Sequence, residues 1–287
     1  MIETILLLTL PFFFIGIINK MKAVFVGKQG ASIFQPYYDF IKLIQKGEVI
    51  SKTTSFIFKL APSVNLACVI LSALIITLFH FEGDFIVFMY VLALGKFLTV
   101  LAAMDTGSSF EGMGASREVS YTSFVEPAFF IIIASICALV GVNSFTSIHS
   151  VYQTNPLLAI ISTLVFFMMI LIEGSRTPID DPKTHLELTM IHEVMVLDNA
   201  GIDLAFINYA NALKMLVFAT IISNIFVAHS NIWHLVSFLV IALVVAIIET
   251  IGARIRLTHI IEYTFVMIAL ALVVMALVMS VLFGGAI

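Results

Sequence analysis

The chain has 287 residues, of which 61% are hydrophobic and only 11% charged. A soluble domain carries about 25% charged residues, so this composition excludes one. The net charge of −4 identifies no partner, because a membrane separates the charges that sum to it.

Eight apolar runs approach the roughly 20 residues that a helix needs to cross a bilayer core of about 30 Å. They are Ile2–Ile18, Leu60–Phe79, Phe85–Met104, Phe124–Val142, Leu157–Ile172, Ala205–Ala228, Ile232–Ile251 and Tyr263–Phe283. Alternating segments of about ten residues, the mark of a membrane barrel, are absent. The runs predict an all-α integral membrane protein with about eight transmembrane helices, in a single membrane domain over residues 1–287. The first run lacks a basic start and a small-residue cleavage site, so it reads as a retained helix.

Twelve of the fourteen Lys and Arg residues fall in alternate gaps between these runs. Lys20, Lys22, Lys28, Lys42, Lys46, Lys52 and Lys59 follow the first run, and Arg117 follows the third. Arg176 and Lys183 follow the fifth, and Arg254 and Arg256 the seventh. Positive loops stay in the cytoplasm, so these gaps are expected to be cytoplasmic and both termini outside. The outer connections, around His80–Asp84, Gly141–Pro156 and His229–Asn231, are short.

After the first run, Tyr37, Phe40, Ile41 and Ile44 repeat at helical spacing, with Lys42, Gln45 and Lys46 away from that stripe. Pro36 suits a first turn and Gly47 an end. This amphipathic surface helix either rests in the membrane interface, lysines toward anionic headgroups, or packs on its own domain as a connector. Cys68 and Cys137 each stand alone in an apolar run and read as small core residues. The chain shows no ligand set for haem or an iron–sulfur cluster.

Lys96 lies about eleven residues into the third run and Lys214 about nine into the sixth, near mid-membrane at roughly 14–17 Å depth. A charge there costs at least about 2.5–3.5 kcal/mol. Each lysine is therefore expected to face the bundle interior with a carboxylate or water. The pair either serves ion conduction or locks helices together.

The next polar segment, Asp105–Tyr121, carries three glycines and predicts a loop of tight turns or close backbone approach. Glu111, Arg117 and Glu118 supply its charge. Glu118, Thr122 and Glu126 are spaced i, i+4, i+8 and would line one helix face if the fourth helix begins near Glu118. Glu126, Glu173 and Glu249 sit at the cytoplasmic ends of three helices. They form a proton path if their pKa values rise toward neutrality, or simple interface acids if they face water.

In the loop from Glu173 to Asp203, Pro178 and Pro182 break any continuing helix. Asp180 or Asp181 can cap a short helix after Pro182, with Leu186, Met190, Val194 and Leu197 as its apolar stripe. His185, Glu187, His192, Glu193 and Asp198 decorate the rest. His185 and His192 are seven apart, whereas a helical metal pair uses four, so no metal site is expected. Nucleotide-loop and hydrolase-elbow motifs are absent. Nothing points to nucleic acid. No internal repeat is visible, which weighs against many duplicated transporter folds.

The stretch Glu173-Gly-Ser-Arg176-Thr-Pro178-Ile-Asp180 resembles the E-x-x-R-x-P-F-D signature of membrane subunit 1 of respiratory complex I. Arg117 with Ser120-Tyr121 resembles the arginine-to-S-Y loop of the same family. Gly107–Glu118, Gln35–Gly47 and Asp180–Glu193 resemble more closely the homologous subunit of energy-converting membrane-bound NiFe hydrogenases, of the formate hydrogenlyase and hydrogenase-4 type. Complex I carries further glutamates where this chain has Lys183 and His185, with only Glu187 matching. Its E-R-R and G-P-N elements beside the quinone chamber are replaced here by Gly27–Gly30. These departures favour the hydrogenase branch over a quinone-site subunit.

The resemblance implies a non-catalytic subunit of an oxidoreductase complex in a prokaryotic inner or plasma membrane, with no redox centre or metal of its own. Its expected partners are the lipid bilayer, the hydrogenase large and small subunits, an iron–sulfur subunit and antiporter-like membrane subunits. The NiFe site and iron–sulfur clusters would lie in those partners. Implied arm-docking and coupling residues are Asp105, Glu111, Arg117, Arg176, Asp180, Asp181, Glu187, His192 and Glu193. The implied proton or ion pathway is Glu118, Glu126, Glu173, Glu249, Lys96 and Lys214. A stand-alone transporter and a passive anchor for the arm are the other readings weighed.

Overall fold

A computed structural model describes residues 2–180, 190–227, 231–253, 255 and 257–284. Among them there are twelve α-helices, one 3₁₀ turn and no strand. In chain order the helices are α1 (Ile2–Thr9), α2 (Pro11–Phe25), α3 (Gln35–Ile44), α4 (Phe56–Thr77), α5 (Asp84–Asp105) and α6 (Ser109–Val140). There follow α7 (Ile148–Thr154), α8 (Pro156–Glu173), α9 (His192–Met195), α10 (Gly201–Phe226), α11 (Asn231–Ile251) and α12 (Leu257–Gly284). Seven of these are long and apolar enough to cross a membrane, and α1 with α2 makes an eighth, bent span. The lysines of residues 20–59, with Arg117 and Arg176, mark one end of the bundle as the basic end.

Local chemistry sets the helix ends. The Ser55 hydroxyl accepts from the Ile57 amide at 3.2 Å and starts α4. The Asn155 side chain accepts from Leu157 and Leu158, with Pro156 at the first helical position of α8. Gly141, at φ +78°, closes α6 in the left-handed conformation that glycine adopts without a Cβ clash.

Helix α10 is the central element, buried along most of its length against α2, α4 and α8. Phe88, Phe129, Phe166 and Phe218 fill the space around it, with centroids 5.6 to 6.4 Å apart. Helices α11 and α12 expose apolar side chains such as Leu239, Phe265 and Leu272 along much of their length, as lipid-facing helices do.

The first run departs from the single straight helix expected of it. It breaks at Leu10 and bends by 56°. Pro11 has no amide hydrogen to give the Leu7 carbonyl, and the bend leaves the last carbonyls of α1 without helical donors. Two tyrosines replace them: the Tyr209 hydroxyl donates to the Leu8 carbonyl at 2.5 Å, and the Tyr37 hydroxyl donates to the Thr9 carbonyl. The Phe12 ring sits among Tyr37, Phe40 and Tyr209, at 5.2 to 5.4 Å. Tyr37 belongs to the surface helix α3, so this contact anchors α3 to the bend.

Three other expectations are corrected. In α3, Tyr37 and Phe40 turn toward the bundle, but Ile41 and Ile44 are exposed beside Phe34 and Tyr38. The stripe is thus split between the protein and the surroundings. The glycine-rich segment 105–121 is helical from Ser109 onward, and only Gly107 has a positive φ. The short connection 141–156 holds the 3₁₀ turn Phe145–Ser147 and helix α7. Of the short helix expected after Pro182, residues 181–189 lie outside the described residues. Its described part is α9, with Met190 and Val194 buried and Leu197 exposed, so Leu197 does not continue the stripe.

Gly114 shows why α6 needs glycine although it is helical. A Cβ there would lie 2.4 Å from Val194 Cγ1 and 2.9 Å from the Ile191 carbonyl oxygen. The segment carrying α9 therefore lies directly on the α6 backbone. Gly114→Ala is expected to push that segment away and cost about 1–3 kcal/mol. Thermal unfolding of the assembled complex, with hydrogen exchange of residues 190–196, checks this; unchanged exchange would refute the close approach.

Candidate functional site

Desolvation forces the ionisable residues of a membrane bundle to find each other. Here five elements and the loop after α8 deliver six such side chains into one continuous chain. Lys214 of α10 holds Glu173 Oε2, at the end of α8, at 3.3 Å. Glu173 Oε1 is paired with Lys96 of α5. Lys96 Nζ also reaches Glu118 Oε1 of α6 at 3.0 Å and donates to the Thr122 hydroxyl at 3.2 Å. Glu118 Oε2 stands 3.0 Å from His192 Nε2 of α9. His192 Nδ1 stands 3.4 Å from Asp180 Oδ2. Asp180 Oδ2 also accepts the Ile191 and His192 backbone amides at 3.1 and 3.0 Å.

The signs alternate: Lys214, Glu173, Lys96, Glu118, His192, Asp180. With His192 protonated the chain sums to zero, and any single change of protonation leaves one unit uncompensated. Asp180 is fully buried, Glu118 is 2% exposed and Glu173 6%. Neutrality at such depth is what makes the arrangement tolerable.

A second cluster flanks the first. Glu249 of α11 holds Lys22 of α2 at 2.5 Å and Arg176 at 3.3 Å. Arg176 and Asp180 belong to one turn, in which the Asp180 amide donates to the Arg176 carbonyl at 3.2 Å. The Thr177–Pro178 peptide within it is cis. The Ile255 amide donates to the Pro178 carbonyl at 2.9 Å, tying the turn to the connection before α12. One short turn thus presents Arg176 to one cluster and Asp180 to the other.

Beside Arg176 is a polar cavity of about 410 Å³ under α3, lined by Asn19, Gln35, Asp39, Glu193, Asn208 and Asn211 among others. The side-chain oxygens of Asn19 and Ser175 are buried without a hydrogen-bond partner, as in a site that water or a ligand completes. A second cavity, about 250 Å³, lies between α5 and α6 and is lined by Lys96, Thr122, Ser123 and Glu126.

The residues singled out from sequence separate into groups. Glu118, Glu173, Lys96 and Lys214 are joined, with His192 and Asp180 completing their row. Glu249 belongs to the flanking cluster. Glu126 is half-buried at the α5–α6 cavity, eight residues along α6 from Glu118. Thr122 between them donates to Glu118 Oε1 at 3.4 Å, so the expected stripe exists. Asp105 Oδ2 accepts the Ser55 amide at 2.6 Å and fastens α5 to the start of α4. Glu111 is fully buried and accepts the Asp198 amide at 3.0 Å. Arg117 Nη1 donates to the Met190 carbonyl at 2.7 Å. Glu193 faces the large cavity. Asp181 and Glu187, with Lys183 and His185, lie outside the described residues. Among the described residues no group of three or more His, Cys, Asp or Glu side chains is placed to hold a metal ion.

Sequence reading missed Lys22 as a partner of Glu249, Tyr37 and Tyr209 as carbonyl donors, and the pairing of His192 with Glu118. Only the last had a signal, a histidine in a polar segment otherwise full of carboxylates.

Outside the membrane spans, the pKa values of His192 and Glu193 shift beside the charge row. Burial pulls His192 down, but Glu118 and Asp180 outweigh it and push it up to about 10. Burial raises Glu193, Asp180 adds to the rise, and His192 opposes it.

The NADH dehydrogenase family model matches residues 1–280. The chain belongs to that family. It is 30% identical to hydrogenase-4 component C of Escherichia coli over 236 residues, covering 78% of this chain and 73% of that one. It is 25% identical over 251 residues to formate hydrogenlyase subunit 4 of the same organism, covering 82% and 80%. Its fold matches a chain of the membrane-bound sulfane sulfur reductase, an archaeal respiratory membrane complex, with a TM-score of 0.81 at 18% identity over 96% and 97% of the two chains. The chain is therefore a homologue of membrane subunits of hydrogenase complexes.

Two outcomes follow from the geometry. His192 is raised above its ordinary 6.5 to about 10, so its stabilising charge is fully present below pH 6.5 and lost as pH rises through about 10. Protection of the amides of residues 190–196, taken as the exchange rate relative to the intrinsic rate at each pH, should fall across that window, and His192→Gln should abolish this fall in protection. Lys96→Met would leave Glu118 and Glu173 facing each other and is expected to cost about 3–5 kcal/mol unless a proton is taken up. Its thermal stability should therefore recover as pH falls; a pH-independent, wild-type melting point would contradict the pairing.

Proposed function

We propose that the chain is the membrane subunit of a respiratory-type hydrogenase complex, docking a peripheral arm and coupling its redox reaction to H⁺ or Na⁺ translocation. The observation that carries this reading is the unbroken row of alternating charges from Asp180 and His192, near the basic loops, to Lys214 inside the bundle. The names of the hydrogenase-4 and formate hydrogenlyase relatives support the complex. In this reading the basic end is cytoplasmic, both termini lie outside, and the membrane is a prokaryotic inner membrane. Hydrogenase large and small subunits and an iron–sulfur subunit sit on α9, the loop after α8 and the start of α6. Antiporter-like subunits sit beside the spans. The NiFe site and clusters belong to the arm.

An electron arriving in the arm adds negative charge near the basic end. At about 10 Å and an effective dielectric of about 20, a unit charge contributes about 1.7 kcal/mol, just over one pKa unit. Burial and Asp180 already raise Glu193, and the added charge raises it further, which favours proton uptake there. That proton unbalances Asp180 and His192, and the imbalance passes along Glu118, Lys96 and Glu173 to Lys214. Glu126, on the α5–α6 cavity beside Lys96, is the branch toward a neighbouring membrane subunit.

The 410 Å³ cavity favours one second reading, a quinone-site subunit, since its volume and its mixed aromatic and polar walls suit an amphiphilic headgroup. Quinone-site inhibitors acting on redox turnover would select it.

In the reconstituted complex, Lys214→Met and Glu126→Gln are expected to abolish ion pumping while redox turnover persists or falls. Full pumping by both variants would remove the coupling role and leave an anchor.

A further inference from the structure

The end of the bundle opposite the basic loops carries a second polar system. Two adjoining cavities, about 110 and 30 Å³, share Glu3, Ile76, Thr77, Asn224 and His234. The first reaches out to His80 and His149, and the second reaches inward to Thr220 of α10. Together they form a funnel between α1, α4, α10 and α11, the inner part large enough for one or two water molecules.

At its side His234 of α11 has Nδ1 2.6 Å from the Ser223 hydroxyl of α10. Ser223 in turn lies 2.5 Å from the Ser237 hydroxyl. Ser223 is 1% exposed, so this histidine is not merely an interfacial side chain in contact with water; it is bonded into the bundle. The Thr4 hydroxyl of α1 is buried with no hydrogen-bond partner, a position that water would complete. Glu3, His80, His149 and His234 are the titratable groups lining the funnel among the described residues, and no Lys or Arg lines it.

Thr220 and Lys214 lie on the same helix, six residues or roughly 9 Å apart. Between them Met215, Leu216, Val217, Phe218 and Ala219 are all buried and apolar. The alternating charges therefore approach the funnel along α10, and an apolar barrier of roughly one and a half turns separates them.

We propose that this funnel is the release path through which the coupled ion leaves on the side opposite the basic loops, and that the ion is a proton. The inference rests on the coupling reading above. A proton crossing the barrier on transient water passes through Ser223 to His234 Nδ1. The imidazole gives up a proton from its other ring nitrogen to funnel water, so one proton enters and one leaves. A hydroxyl–imidazole relay carries protons and offers Na⁺ no carboxylate cage. The apolar stretch of α10 keeps the two sides from connecting at once.

The test uses the whole complex in liposomes, comparing wild type, His234→Asn, Ser223→Ala and Lys214→Met. Proton movement and redox turnover are read together, with and without Na⁺ and with imidazole added on the funnel side. His234→Asn is expected to lower the rate of proton movement about 10²-fold, the lower end of what a positioned acid–base group contributes, with partial restoration by imidazole. Ser223→Ala, which removes one oxygen and little volume, should lower it without restoration and serves if His234→Asn fails to assemble. Wild-type pumping should not need Na⁺. If Lys214→Met is silent while His234→Asn and Ser223→Ala pump at the wild-type rate, the funnel is overturned and the coupling reading stands. Pumping that requires Na⁺ also overturns it. If Lys214→Met pumps fully, both readings fall.

Discussion

The contact on which the rest depends is Lys96 held between Glu173 and Glu118. An ammonium on α5 that deep in the bundle has no water to fall back on. It is tolerable only because α6 and α8 each bring a carboxylate to it and the Thr122 hydroxyl accepts a further hydrogen bond from it. Each carboxylate then needs a second cation, which Lys214 supplies to Glu173 and His192 to Glu118. The requirement to leave no charge unmatched thus propagates outward from one lysine and fixes how α5, α6, α8 and α10 stand relative to each other. It also fixes α9, which is too short to hold a position by itself.

Backbone that leaves the helical state within such a bundle meets the same demand. At the α1–α2 break two tyrosine hydroxyls donate to the Leu8 and Thr9 carbonyls, which the bend leaves without helical donors. In the turn after α8, Asp180 collects two amides of the facing segment while the Pro178 carbonyl is taken by Ile255. Irregular backbone at membrane depth survives only where protein or trapped water satisfies it. Both irregular places border the large cavity or the charge row, so the parts free of helical hydrogen bonding are those nearest the chemistry.

Much of this was legible in the sequence. Apolar runs gave the number and order of the spans, because a helix that crosses a bilayer must be apolar over about 20 residues, but not all their ends, since α6 begins at Ser109 and α2 runs on to Phe25. The depth of Lys96 and Lys214 required buried partners, and the i, i+4, i+8 spacing placed Glu118, Thr122 and Glu126 on one face. The glycines of residues 107–114 misled, since the same residue serves a turn and a tight helix contact; Gly107 does the first and Gly114 the second. Lys22 looked like one of seven exposed lysines, because nothing local reveals that α2 continues past the apolar run and brings it to Glu249. Which carboxylate meets which cation is set by packing of helices distant in sequence, and one sequence carries no record of that.

The charge row and the funnel differ in kind. The row is buried, matched in charge when His192 is protonated, and paired from end to end by opposite signs, which suits a device that redistributes charge over a few ångströms but not a channel. A channel needs water and vacant sites, and those lie at its two borders: the α5–α6 cavity at Lys96 and Glu126, and the histidine funnel beyond the apolar stretch of α10. A protein that must not short-circuit its own gradient cannot have both borders continuous with the row at once. In the proposed mechanism the five apolar residues between Lys214 and Thr220 supply that separation, and a proton is to cross them only when the row has been driven out of balance.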